Sequence, residues 1–303
     1  MNLDWANDSV AGVSERLGVT PSVWVQFAAF PLDDAGRANL DTFVEQIAAV
    51  DGIGLITLEP RGGLETVTPE AAEELARLLD GYWRVHGTPT IVRFAHEMNG
   101  SWYPWGQQPE AYVEAFRMVA DAVHAGAPAS AMAWAPNEGS GYPFPAGDYL
   151  GDDAMLDTNG DGQISGADDP YAPFWPGAEA VDWVGMSVYH WGIEYPWGEN
   201  EMPVDGSFRA LLTGRDADAP DGQQPIPDFY ATYAEAQARP MGIFETAALV
   251  NPAEPGPTEA EIKTAWWREV TDRDIRDDFP RLARRLLAEV EPGWLRFGGV
   301  TSE

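Results

Sequence analysis

The amino-acid sequence predicts one α/β domain, built as a (β/α)₈ barrel with long loops at the carboxyl ends of its strands. Two observations predict this fold. Short apolar segments alternate with segments of helical periodicity along the chain, a pattern typical of parallel strands joined by helices. The length of 303 residues is usual for one such barrel, and no repeat or linker divides it. We therefore expect a single domain over residues 1–303.

The predicted strands are short apolar runs, and the predicted helices lie between them. The strands are expected at residues 2–5, 22–30, 53–59, 90–95, 131–135, 182–189, 241–244 and 294–297. The helices are expected at residues 10–17, 40–50, 68–86, 109–124, 229–237, 259–270 and 278–289. Thr68, Pro69 and Glu70 form a start signal, with an N-cap, a proline in the first turn and an early acid. Closure of the barrel between the first and eighth strands is left open, because the first begins at the second residue.

Two long segments interrupt this alternation. Residues 136–180 are rich in Gly, Pro, Asp and aromatic residues, which predicts an ordered loop inserted after the fifth strand. A second loop runs from the sixth strand to about residue 226. An open doubly wound sheet is the alternative fold. No Gly-rich phosphate loop follows an early strand, which argues against its nucleotide-binding form.

Charge and composition exclude several classes of partner. The formal net charge is −31, and only one of the 18 basic residues is a lysine. Such a surface repels nucleic acid and anionic lipid, but it does not exclude neutral ligands. No apolar run approaches the ~20 residues that cross a bilayer. The absence of cysteine excludes disulfides and thiol nucleophiles. We expect a monomer without an organic cofactor, a nucleic-acid partner or a membrane partner.

Polar side chains stand at the predicted carboxyl ends of several strands, where such barrels carry their chemistry. They are Glu59, His96, Glu97, Asn137, Glu138, Tyr189, His190 and Glu245. Glu97 and Glu245 each follow an apolar run, and apolar walls and a second carboxylate both raise a carboxyl pKa. Two such groups suggest glycoside hydrolysis. The fourth and seventh strands lie nearly opposite, so we expect the pair near the roughly 5–5.5 Å that a retaining mechanism requires.

Aromatic residues support a carbohydrate cleft. The chain has 13 tryptophans, and sugar rings stack their C–H faces on aromatic planes. Several tryptophans lie in predicted loops: Trp102, Trp105, Trp175, Trp191 and Trp197. Core packing is the alternative for Trp105, Trp191 and Trp197.

Three segments resemble glycoside hydrolase family 26, the family of many β-mannanases. Residues 93–105 (RFAHEMNGSWYPW) resemble its acid/base segment, 181–192 (VDWVGMSVYHWG) its sixth-strand segment and 239–247 (RPMGIFETA) its nucleophile segment. The resemblance runs in order over about residues 1–270. Residues 291–303 (EPGWLRFGGVTSE) depart from the family's eighth-strand segment, which usually supplies an aromatic below the reactive sugar.

The resemblance implies a (β/α)₈ barrel and a retaining double displacement. By position, Glu97 is the acid/base and Glu245 the nucleophile. The implied substrate-binding residues are Arg93 below the carboxylates, His96 beside the sugar, Trp102 as a stacking wall and Tyr189 on the nucleophile, with Trp105 and Trp191 as further candidates.

We therefore expect a retaining endo-acting hydrolase of a neutral β-linked polysaccharide, with β-1,4-mannan as the leading substrate. β-1,3/1,4-Glucan and β-1,3-xylan remain alternatives, because loops set specificity on a shared fold. A carbohydrate-binding barrel without turnover is a second alternative. A metal-dependent hydrolase is a weak third alternative. The chain offers few ligands for a catalytic metal, since it has four histidines and no His-x-His pair at a strand end. A polymeric substrate implies an extracellular location, although no signal peptide is visible.

Residues 157–168 (DTNGDGQISGAD) have the spacing of a calcium-binding loop. Gly162 at the sixth position permits the sharp turn. The pattern predicts one structural Ca²⁺ that fixes the 136–180 insertion. The predicted ligands are Asp157, Asn159, Asp161, the carbonyl of Gln163 and Asp168.

Overall fold

The computed structural model describes Leu3, Trp5 and residues 7–192, 198–214, 226–272 and 274–282. Six strands form one parallel sheet in chain order. The strands are β1 (Val23–Ala29), β2 (Ile53–Glu59), β3 (Thr90–Phe94), β4 (Ser130–Trp134), β5 (Trp183–His190) and β6 (Met241–Ala248). They confirm the second to seventh predicted strands. The predicted strand at 2–5 lies partly outside the described residues, and the one at 294–297 lies wholly outside them.

The strand order argues against a doubly wound sheet. Neighbours follow the chain from β1 to β6 without the reversal that such a sheet needs. The sheet curls into half a barrel instead, and its inner face encloses a small apolar layer. The buried members of this layer are Val23, Val25, Leu55, Ile91, Ala133, Ala135 and Phe244.

Helices cover the outer face of the half-barrel. They are α1 (Val10–Leu17), α2 (Asp34–Ala48), α3 (Pro69–His86), α4 (Pro109–Gly126), α5 (Ser207–Thr213), α6 (Glu259–Val270) and α7 (Ile275–Asp278), with a π-helical segment at Tyr230–Glu235. The Thr68 side chain caps α3 by accepting from the Ala71 N–H, as its sequence signal predicts. In the described part of the chain, no helix combines the length and apolarity that a membrane span requires.

The predicted helix at 278–289 is wrong over its described residues. Helix α7 ends at Asp278, and Phe279 has left the helical region (φ −125°, ψ 71°). Pro280 follows Phe279, and a proline disfavours helical geometry at the residue before it. The chain then pairs with the free edge of β6, where Leu282 forms a parallel bridge to Met241. Residues 283–289 lie outside the described residues.

The 136–180 insertion packs into the same outer core as the helices. Its Tyr171 and Phe174 are fully buried, and Tyr171 lies edge-on to Phe229 at 5.2 Å. The Tyr171 hydroxyl also accepts a hydrogen bond from the Gly139 N–H at 2.9 Å. This packing holds the insertion beside the carboxyl ends of β3 to β5.

Candidate active site

Arg93 forms the floor of the site. Its side chain is fully buried on the inner face of β3. Its Nε donates to Thr57 Oγ1 at 3.0 Å, and its Nη2 donates to Glu245 Oε1 at 2.5 Å. The guanidinium also lies over the Phe27 ring, 5.3 Å from the centroid. A fixed positive charge therefore faces one candidate carboxylate from below, where the family resemblance places it.

Glu245 reaches the inner face through a bulge in β6. Met186 of β5 pairs with Ile243, but the next residue, Ser187, pairs with Glu245, so Phe244 is an extra residue. Residues normally alternate between the two faces of a strand. The bulge lets Glu245 follow Phe244 towards the interior, and bulges often re-aim side chains at functional sites.

Two donors hold the Glu245 carboxylate. Arg93 binds Oε1, and the Tyr189 hydroxyl donates to Oε2 at 2.6 Å. Burial raises the pKa of Tyr189, and the adjacent charge of Glu245 raises it further. Tyr189 therefore stays a neutral donor. Together the two donors orient the carboxylate and stabilise its negative charge.

Glu97 stands in a different environment just beyond the end of β3. Its φ of 54° lies in the left-handed region, a strained conformation for a residue with a side chain. Glu97 is only 6 % exposed. Burial raises the pKa of Glu97, and the negative charge of Glu245 raises it further. The Trp102 Nε1–H donates to Glu97 Oε2 at 2.8 Å and opposes this rise.

His96 lies beside Glu245 and packs against the rings of Tyr103 and Trp105. Its Nε2 is 3.7 Å from Glu245 Oε1. Burial holds its pKa well below the usual value, and the charge of Arg93 lowers it further, so the ring is neutral. Its carbonyl accepts from the Trp105 Nε1–H at 2.7 Å. The ring is thus positioned beside the carboxylate, while its contact with a sugar stays a prediction.

The predicted aromatic contacts divide by exposure. Trp102 is 36 % exposed and Trp191 is 46 % exposed, and the Trp191 ring lies 5.2 Å from that of Tyr189. Both can present a face to a ligand. Trp105 is only 1 % exposed and stacks under Tyr103 at 4.4 Å. The structure therefore places Trp105 as support for the site, which is the packing alternative. Trp197 lies outside the described residues.

Further residues of the site have no particular role assigned from the sequence. Phe144 packs edge-on against Trp102 at 5.1 Å, but it comes from the insertion, and no sequence signal places it there. Asn99 and Asn137 exchange amide and backbone hydrogen bonds, both at 2.8 Å, and tie the β3 and β4 loops together. Asn137 therefore caps the loop that follows β4. Tyr103 lies inside the recognised motif, so its position could have been singled out.

The 157–168 loop has the turn geometry that its sequence predicts. Gly162 has φ 87°, and its N–H donates to Asp157 Oδ2 at 2.8 Å. The Asp168 carboxylate is buried and accepts backbone N–H groups from Thr158 and Ser165. Burial acts to raise the pKa of Asp168, but these hydrogen bonds outweigh it and lower the pKa. Within the described ranges, no three His or acidic side chains are arranged to hold a metal ion. Calcium therefore stays a prediction.

Calcium uptake has a direct test. If the loop binds one Ca²⁺, calorimetry should detect one site that Asp161→Ala removes, and saturating Ca²⁺ should stabilise the wild type by about 2.7 kcal/mol at 100 times Kd. Asp148→Ala, which alters an exposed acid of the same insertion, is the matched control. Equal heats for the wild type and Asp161→Ala would rule the site out.

A curled parallel sheet with paired carboxyl groups at its carboxyl edge is characteristic of the (β/α)₈ glycoside hydrolases as a class. More particularly, residues 62–160 match the family model described as glycosyl hydrolase family 26. This match covers about a third of the chain and agrees with the resemblance that the sequence motifs carry.

A curated relative and two solved structures are similar to this chain. Endoglucanase H of Acetivibrio thermocellus is 26% identical over 132 residues, which are 41% of this chain but only 12% of that protein. The catalytic domain of a Bacillus sp. JAMB-750 endo-β-1,4-mannanase gives a TM-score of 0.53 at 16% identity, covering 91% of this chain and 69% of that chain. The Bacillus subtilis mannanase BCman gives 0.50 at 13% identity, covering 97% and 82%. At these identities the two structures establish a shared fold.

Proposed function

We propose that this protein is a retaining endo-acting β-glycosidase of extracellular, neutral polysaccharide, with β-1,4-mannan as its substrate. The observation that carries the proposal is the unequal environment of two carboxyl groups at one cleft. Burial and a neighbouring charge favour the protonated form of Glu97. Arg93 and Tyr189 meanwhile bind both oxygens of Glu245. An acid and a nucleophile are needed together in a double displacement.

The proposed reaction uses these differences in two steps. Glu97 donates its proton to the glycosidic oxygen while a Glu245 oxygen attacks the anomeric carbon, and the bond from that carbon to the leaving oxygen breaks. Loss of its proton turns Glu97 into a base. It then takes a proton from water, whose oxygen attacks the same carbon and releases Glu245. Arg93 and Tyr189 keep the Glu245 carboxylate aimed at that carbon during both steps.

The choice of mannan rests on the names of the structural neighbours, two of which are mannanases. The curated relative is named an endoglucanase, which favours β-1,3/1,4-glucan as the second candidate. β-1,3-Xylan and a barrel that binds without turnover remain further candidates. Release of reducing ends from mannan, mixed-linkage glucan and β-1,3-xylan separates these substrates. If none of the three is hydrolysed, binding without turnover is the candidate that remains.

The pH dependence of hydrolysis tests the role of Trp102. The alkaline limb of kcat/KM should report the acid in the free enzyme, here Glu97. Trp102→Phe removes the N–H that stabilises the Glu97 carboxylate, so the pKa of Glu97 rises and the alkaline limb moves to higher pH. Trp83→Phe, at a 46 % exposed tryptophan of α3, should leave the limb in place. A limb that stays or moves to lower pH in Trp102→Phe contradicts the assignment.

A further inference from the structure

Glu59 is a buried carboxylate at the carboxyl end of β2 that the proposed catalytic steps do not use. It is 6 % exposed. Its Oε2 accepts from Arg61 Nε at 3.1 Å and from Arg61 Nη2 at 2.5 Å. Its Oε1 accepts no hydrogen bond from the residues that the structure describes. One oxygen of this carboxylate is therefore left for another donor.

The pairing with Arg61 does not account for this burial. The Arg61 side chain is 67% exposed, and ion pairs with a solvated partner contribute little to stability. Removing a carboxylate from water is costly, by contrast, unless its oxygens are satisfied. Oε1 is not sealed from solvent, so a ligand bound in the cleft can reach it and donate to it.

Strand register places Glu59 beside the catalytic residues. Thr57 pairs with Arg93 across β2 and β3, and the two side chains share a hydrogen bond on the inner face. Glu59 is two residues further along β2. It therefore lies on the same face, about 7 Å nearer the mouth of the cleft. This position is above the contact between Arg93 and Glu245.

The side chain of Tyr103 lies beside His96, next to the catalytic pair. Its half-buried ring stacks on Trp105 and lies 5.0 Å from the His96 ring. Its hydroxyl has no hydrogen-bond partner in the described part of the chain. Burial raises the pKa of Tyr103, and the charges of Glu97, Glu245 and Glu59 raise it further. The phenol therefore lies within the electric field of all three carboxylates.

We propose that Glu59 and the Tyr103 hydroxyl bind hydroxyl groups of the hexose unit that lies on the β2 side of the catalytic pair, and thereby help to select the sugar. The inference rests on the proposed function, which it deepens. A carboxylate accepts charge-assisted hydrogen bonds from sugar hydroxyls, and these are stronger than bonds between neutral groups. Arg61 fixes the carboxylate plane. A uronic acid at this position would be repelled, so the ligand class is a neutral hexose.

The experiment compares the same substitution, glutamate to glutamine, at two positions. Glu59→Gln removes the charge and keeps the shape, while Arg61 remains solvated, so the fold should persist. Glu65→Gln makes the same chemical change at an exposed site. Steady-state hydrolysis is measured in the wild-type background, and mannotetraose binding by calorimetry in a Glu97→Gln background, with melting temperatures as the check on folding.

We expect Glu59→Gln to lower kcat/KM and the affinity for mannotetraose by about 10-fold each. Glu65→Gln should change neither. Tyr103→Phe should weaken binding as well. Combined with Glu59→Gln, it should cost less than the product of the two single effects, because both side chains hold one sugar.

The outcomes separate this inference from the proposed function. If mannotetraose binds and Glu59→Gln matches Glu65→Gln, the role of Glu59 is overturned while the proposed function stands. If the wild type binds but does not hydrolyse, turnover is disproved and the binding comparison still decides on Glu59. If no neutral glycan is bound or hydrolysed, both proposals fall.

Discussion

Replacing Glu245 by alanine is expected to lower kcat on β-mannan by about 10⁴-fold or more. The substitution removes the atom that attacks the anomeric carbon. Loss of one member of a catalytic unit typically lowers kcat by this factor. The measurement is reducing-end release at saturating substrate. A Glu245→Gln variant should be equally inactive, because an amide oxygen is a poor nucleophile at this carbon.

The controls for Glu245 address folding and specificity. Alanine leaves the buried Arg93 guanidinium without its carboxylate, which destabilises a fold by about 3–5 kcal/mol. Glutamine retains an acceptor for Arg93 and so separates lost chemistry from lost structure. Glu254→Ala, at an exposed acid, should match the wild type. A folded Glu245→Gln enzyme with kcat within about 10-fold of wild type would end the assignment of the nucleophile.

The second large effect is expected at Glu97, and it should depend on the leaving group. Glu97→Ala should lower kcat/KM on mannan by about 10²–10⁴-fold, the usual contribution of general acid catalysis. A dinitrophenyl β-mannobioside needs no proton to leave, so the first step on it should stay fast. The second step lacks its base, so the glycosyl-enzyme should accumulate and appear as a burst of dinitrophenol.

Ser140 offers a reference for this experiment, because it binds Glu138 in the neighbouring loop and not Glu97. Ser140→Ala should lower activity on both substrates by a similar, small factor. If Glu97→Ala lost equal activity on mannan and on the dinitrophenyl substrate, Glu97 would not be the proton donor.

The strands from β1 to β6 could be predicted because each contains an apolar run that is largely buried. The interior of the barrel and the helices each demand hydrophobic side chains there. Glu97 and Glu245 could be predicted for the opposite reason, since a carboxyl group directly after or within such a run is costly without a use. Local sequence alone carries both signals.

Features that depend on partners distant in sequence could not be predicted. The bulge at Phe244 is visible only in the register between β5 and β6. The burial of Trp105 depends on its stacking beneath Tyr103, which turns a candidate for sugar contact into support. Phe144 reaches Trp102 through the fold of the insertion. The end of the helix before residues 279–282 is different, because Pro280 is a helix-breaking signal in the sequence itself.

The central claim is that Glu97 and Glu245 act as the acid/base and the nucleophile of a double displacement. The most direct measurement is proton NMR of the anomeric signals during the first minutes of oligosaccharide hydrolysis, before mutarotation. Two inversions at one carbon return the starting configuration, so the account predicts that the β-anomer appears first and the α-anomer grows in later. Initial release of the α-anomer would mean a single displacement by water and would contradict the account.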